Sequence, residues 1–159
     1  MRKIDAMVAE RVMGIKVLGT AHCWISGDDG RMSVANSLEA CYGTAEHPVY
    51  AEPSYDGEAC ADEVVIGGVP ACWLAVVPFY STDIGAAWEV VEKIRERKDK
   101  NGGSVTCHVI DRVTEWHCDI TSDDLRIDVL GTGDTAPLAI CLAALRAVGV
   151  DEAEIQEAM

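Results

Sequence analysis

The chain has 159 residues, 49 % of them hydrophobic and 25 % charged, which suits one soluble globular domain with a sizeable core. Its 13 basic and 27 acidic side chains give a formal charge of −14, which argues against partners such as a nucleic acid polymer or an anionic membrane, because that binding needs lysine and arginine to displace counterions. No apolar run approaches the roughly 18–20 residues of a membrane span, the opening MRKIDAMVAE does not read as an export signal, and seven cysteines without a regular frame are expected to be mostly free thiols in a cytoplasm.

In chain order, RKIDAMVAERVMG predicts a first helix with Ile4, Met7, Val8 and Val12 on one face and Gly14 as its stop. IKVL (15–18) and CWLAVV (72–77) are candidate strands. Between them, SGDDGR, AEHPVYAEPSYDGE and IGGVP are turn signals separated by short apolar runs. A hairpin or flap is expected over residues 20–71, because a structureless loop of that length is unusual in a compact domain. STDIGAAWEVVEKIRERK predicts a second helix, capped by Thr82 or Asp83, with a stripe of Ile84, Ala87, Trp88, Val91 and Ile94 in which Trp88 is the core anchor.

SVTCHVI, TEWHCDI and LRIDVL alternate apolar and polar residues, and their short polar links predict an antiparallel meander. A third helix follows with Leu138, Cys141, Leu142, Leu145 and Val148 in its stripe, closed by Gly149. The tail DEAEIQEAM predicts a short acidic helix, with Asp151 and Glu154 as a capping box.

The loop GTGDTA (131–136) has the form G-x-G-x-x-A of a dinucleotide fingerprint. That fingerprint needs a second parallel strand after the helix, and only a short helix is expected there. Asp134 also places a negative charge where a phosphate would sit. The loop therefore reads as a helix start, with Asp134 or Thr135 as cap, Pro137 in the first turn, and glycines that let the strand turn sharply.

IDAMVAERVMG (4–14), PFYSTDIGAAWEVVEKI (78–94) and DTAPLAICLAALRAVGV (134–150), in this order and spacing, resemble the phage ABA sandwich domain, a family of small bacteriophage and prophage proteins. These motifs cover about a third of the chain. The resemblance implies a single-domain α/β (α+β) fold, an α-β-α sandwich, encoded by a phage or by a bacterium carrying one. It implies no reaction. The chain departs from the family pattern at Ile15, where tryptophan is common, and in the long segment at 20–71.

Three constellations bear on chemistry. His22-Cys23, Cys107-His108 and His117-Cys118 pair soft ligands, but neighbours in a strand face opposite sides, so each pair can offer one ligand to one site. Cys107 and Cys118 fall on the apolar face, and no metal or cofactor is assigned. On the other face, a four-residue turn would bring His108 opposite His117, with Thr106, Glu115, Asp119, Arg126 and Asp128 nearby. Histidines beside carboxylates suit acid–base work or ligand binding, but alternating polar residues are first of all what a solvent-exposed or covered sheet face requires. Finally, Phe79, Tyr80, Ser81 and Thr82 place aromatic rings, hydroxyls and N–H groups at a helix start, which is a ready anion site or a simple cap.

The expected function is a non-catalytic phage accessory protein in the host bacterial cytoplasm. It binds and sequesters a small nucleotide-derived defence signal through Phe79, Tyr80, Ser81, Thr82, His108, His117, Arg112, Arg126, Trp24 and Tyr55, and no residue is assigned as catalytic. A homo-oligomer is expected, because sparse arginines from two chains can converge on one pocket, and alanines 136, 139, 143, 144 and 147 offer a close-packing helix surface. A protein-binding inhibitor or DNA mimic, and a small hydrolase working through the histidine face, are the alternatives.

Overall fold

The computed structural model describes residues 2–26, 31–34, 45–54, 56–57, 64–97, 103–123 and 127–159, with the backbone alone for 22–26, 31–34 and 45. The chain divides into two compact units, one formed by Met1–Gly14 with Pro78–Met159, the other by Ile15–Val77.

In the first unit, α1 (Arg2–Val8) runs into a π-helical turn, Ala9–Met13, and stops at Gly14 with φ 74°. A four-residue repeat drifts around a helix of 3.6 residues per turn. The wider turn absorbs that drift and keeps Ile4, Val8 and Val12 all buried. Helix α2 (Ile84–Glu96) is capped by Asp83, whose Oδ1 accepts from the Gly85 N–H at 2.7 Å and the Ala86 N–H at 3.2 Å. Its buried stripe is Ala87, Val90, Val91 and Ile94. At about 100° per residue, Trp88 lies about 110° from the centre of that stripe. Trp88 is 44 % exposed and Ile84 48 %, so the expected anchoring role of Trp88 is corrected. The helix carries more apolar residues than one face can bury, and Val90 takes the place assigned to the indole.

Strands β7 (Val105–Asp111), β8 (Trp116–Ser122) and β9 (Asp128–Gly133) form the expected antiparallel meander. The turn at 112–115 is closed by Arg112 N–H donating to Glu115 O at 2.9 Å. Val105, Cys107, Cys118 and Ile120 are buried on one face, which packs against α2 and α3.

Helix α3 (Ala136–Ala147) is capped by Thr135, whose Oγ1 accepts from the Leu138 N–H at 3.4 Å, and carries Pro137 in its first turn. It is buried nearly all round, with β8 and β9 on one side and α1, α2 and α4 (Glu152–Ala158) on others. A Cβ at Gly131 would collide with the Ala139 carbonyl oxygen and the Ala143 nitrogen. The first glycine of GTGDTA therefore exists to let α3 lie directly on its own strand. Ala139, Ala143 and Ala144 are fully buried in that packing, so of the two uses open to an alanine surface, subunit contact and core packing within one chain, these three serve the second. Helix α4 forms as expected without the capping box: Asp151 makes no side-chain cap, and Glu154 instead receives Arg11 at 3.0 Å.

The second unit holds a four-stranded antiparallel sheet in the order β2 (Arg31–Val34), β1 (Gly19–Ser26), β3 (Ala45–Ala51), β6 (Leu74–Val76). A ribbon of β4 (Val65–Ile66) and β5 (Val69–Pro70) turns at Gly67 and Gly68, with φ 59° and 84°, the two positive values a tight hairpin demands. A core of Ala21, Val49, Val69, Ala71 and Leu74 is flanked by Leu18, Ile66 and Trp73. The hairpin expected within 20–71 is present twice, as β1–β2 and β4–β5, in a unit with its own core. IKVL is not a strand, since β1 begins at Gly19; CWLAVV opens with a 3-10 turn, Ala71–Trp73, before β6. Cys72 is disulfide-bonded, which corrects the expectation of reduced cysteines at that position. Sequence spacing does not report which thiols the fold brings together. Cys107, Cys118 and Cys141 are free and buried.

Candidate functional site

An apolar groove of about 540 Å³ opens in the first unit where four element ends meet. Ile84 and Trp88 come from the first turns of α2, Val109 from β7 and Trp116 from the start of β8; Thr135, Ala136 and Pro137, at the start of α3, complete the lining. Each element end reaches this place for a local reason. Asp83 starts α2 so that Ile84 and Trp88 fall beside its buried stripe. The register Asp111↔Trp116 and Trp116↔Gly133 sets the indole between the two neighbouring strands. Gly133, where a Cβ would lie 3.0 Å from Leu138 Cγ, lets the chain enter α3 without filling the space. The described lining carries no charge; its polar side-chain groups are the Trp88 and Trp116 indole N–H donors and the Thr135 hydroxyl, which is turned to the helix cap. Such a lining suits a flat ring or an apolar side chain and offers no group for acid–base chemistry.

The residues assigned from sequence are not brought together there. Tyr80 is 1 % exposed and Ser81 equally buried, so both are core and cannot receive a ligand from solvent. Ser81 donates its N–H to the buried Asp5 carboxylate at 2.7 Å, and Asp5 also takes Arg2 at 2.7 Å. The Arg2 guanidinium stacks over Phe79, 4.0 Å from the ring centre. This carboxylate ties the PFYSTD segment to α1; the segment is a structural joint, with Thr82 exposed at its end. The Ser81 hydroxyl is buried without a hydrogen-bond partner among the described residues.

On the outer meander face, His108 lies opposite Asp119 and His117 opposite Ile110. The two histidines are diagonal neighbours and not the facing pair expected, because the turn closes at Asp111↔Trp116 and shifts the register by two residues. His117 Nε2 contacts Glu115 Oε1 at 3.1 Å. As alternation requires, Cys107 and Cys118 face inward and these histidines outward. Arg112 is exposed in the β7–β8 turn. Arg126 and Tyr55 lie outside the described residues, as does the side chain of Trp24, whose backbone is in β1.

Several of the described basic residues are committed to carboxylates or sit beside them. Arg2 holds Asp5 and Arg11 holds Glu154. Lys3 lines a hollow of about 280 Å³ with Glu154 and Glu157, whose carboxylates repel an anion. Arg146 donates to Glu152 at 2.7 and 2.9 Å and to the Leu130 carbonyl at 2.7 Å. The guanidinium, with help from Gln156, holds the Glu152 carboxyl down at about 2.

Comparison with known families decides the identity. The family model of the phage ABA sandwich domain matches residues 6–145. The chain belongs to that family. The matched span, 6–145, begins and ends in the first compact unit and encloses the second. Among solved structures, a phage protein from Bacillus cereus ATCC 14579 is similar, with 19 % identity over 94 % of this chain and 88 % of that one and a TM-score of 0.49. No curated protein matches the chain. Within this phage ABA sandwich, no helix among the described residues is long and apolar enough to cross a membrane.

The sequence reading missed Trp116 and Pro137 as site residues and misplaced Trp88. A signal was available: Trp88 and Trp116 both sit near the beginning of their elements, where an apolar stripe runs past the partner that could cover it.

Proposed function

We propose that this phage protein is a non-catalytic binder that sequesters a small nucleotide-derived defence signal in the host bacterial cytoplasm. One observation carries the reading: two tryptophans, Trp88 and Trp116, line an open apolar groove of about 540 Å³. Exposed indole area is costly to leave in water and is well matched to the flat face of a base. The base would occupy the groove, with its phosphates outside the uncharged lining. Arg112 follows Asp111, the register partner of Trp116, and is exposed in the adjoining turn, where it could meet a phosphate. A homo-oligomer, which would supply further cations from a second chain, belongs to the same proposal.

The test is to incubate the protein with cyclic and linear adenine and guanine di- and trinucleotides, measure depletion of each, then heat the complex. Return of intact nucleotide, with depletion lost in Trp88→Ala, is the expected result. A chemically altered product would show a hydrolase instead. A second reading, an inhibitor that binds a host protein, is favoured by the uncharged lining and the charge of −14. It is the reading that remains if no nucleotide is depleted. Light scattering that gives a monomer mass with and without nucleotide would remove the oligomer from the proposal.

A further inference from the structure

Beneath the groove, two free cysteines face each other across β7 and β8. Cys107 Sγ and Cys118 Sγ are 3.4 Å apart, on diagonal positions set by the pairs Cys107↔Ile120 and Val109↔Cys118. A disulfide needs about 2.0 Å between sulfurs, so this diagonal pair closes by side-chain rotation together with a shift of the two strand backbones toward each other. We propose that Cys107 and Cys118 are a redox dithiol that closes to a disulfide by exchange with a low-molecular-weight disulfide of the glutathione class. This inference does not depend on what the groove binds.

The two thiols are unequal in a way that assigns their roles. Cys107 is 8 % exposed and Cys118 is fully buried. The Cys118 thiol, hydrogen-bonded to the Cys107 sulfur, holds Cys107 below the ordinary thiol range against the opposing effect of burial, and the Arg95 guanidinium lowers it further. The same hydrogen bond, together with burial, pushes Cys118 up. The thiolate is the attacking species, so Cys107 is the nucleophile and Cys118 the resolving thiol. In the first step the Cys107 sulfur displaces one thiol from the small disulfide and forms a mixed disulfide. In the second, Cys118 attacks the Cys107 sulfur and releases the other thiol. The protein loses two protons and two electrons, and the small disulfide takes them up to become two thiols. Cys141, buried and pushed up by desolvation, has no place in the exchange. The cross-link ties β7 to β8 next to Val109 and Trp116, and so fixes the floor of the groove.

Trypsin separates the two cysteines, cutting after Lys100, Arg112 and Arg126 to leave Cys107 in 101–112 and Cys118 in 113–126. The folded protein is treated with excess oxidised glutathione, alkylated and digested. The expected result is a linked pair of these peptides that dithiothreitol removes, with Cys141→Ala giving the same pair. Cys118→Ser is expected to stop at glutathione on Cys107, and Cys107→Ser to leave Cys118 alkylatable only after denaturation. If both peptides of the folded wild-type protein stay unlinked and free of glutathione, the pair is core packing and the proposal fails. It fails equally if Cys118→Ser acquires no glutathione while its circular dichroism matches that of wild type.

Discussion

Two aromatic regions beside α2 exchange the roles that their local sequence suggests. Phe79 and Tyr80 precede the helix cap, where rings are free to meet a ligand, yet Tyr80 is 1 % exposed. Trp88 stands in an apolar helical stripe, yet it is 44 % exposed and lines the groove with Trp116. The buried carboxylate of Asp5 accounts for the first outcome. It accepts the Ser81 N–H and so draws the PFYSTD segment onto α1. Competition for one helix face accounts for the second, since Ala87, Val90, Val91 and Ile94 fill the face toward the core. Residue type alone does not separate an anchor from a binding surface; what decides is which neighbour reaches it first.

The comparison can be broken by measuring what each side costs. Tyr80→Ala is expected to destabilise by about 3–5 kcal/mol, as for a fully buried aromatic, read from the denaturant midpoint. Asp5→Ala should cost about 1.5–3 kcal/mol, because a charge-assisted hydrogen bond is lost and the Ser81 N–H is left buried without its acceptor. A loss near zero would show that PFYSTD is held by its aromatic packing alone.

Trp88→Ala should cost only about 1–2 kcal/mol, since nearly half the indole is already in water. If it costs as much as Tyr80→Ala, the groove is closed in solution and the two regions do not differ.

The smallest effect is a pH dependence far from both. Glu152 falls from its ordinary 4.5 to about 2 on folding, because Arg146 donates to it. Its contribution is therefore present above pH 4.5 and lost as pH falls toward 2. Glu152→Gln should lower stability slightly at and above pH 4.5, pH 7 included, with the difference shrinking as pH falls toward 2; the effect is small because the pair is exposed. Melts of the two proteins between pH 2 and 6 that superimpose would remove Arg146–Glu152 as a fastening for α4.

The helices, the meander and the caps were legible because they rest on short-range rules. Gly14 in the left-handed region ends the first helix, Asp83 and Thr135 accept from N–H groups two or three residues on, and alternation sends Cys107 inward and His108 outward. Family membership was legible too, because three helix-bearing motifs keep their order and spacing. The register of a hairpin is less secure: the polar turn was visible, but closing it at Asp111↔Trp116 decided that His108 faces Asp119 and not His117.

The sequence by itself therefore determined the helices, their starts and the antiparallel meander, because each depends on residues within a few positions of one another, and the family, because three such motifs keep their order. Only the tertiary structure decided that residues 15–77 hold a core of their own, that GTGDTA serves the close approach of α3 to β9, that Cys72 is bonded, and that Trp88 and Trp116 share a groove. Each depends on which element arrives to cover a surface or meet a side chain, a property no single segment carries.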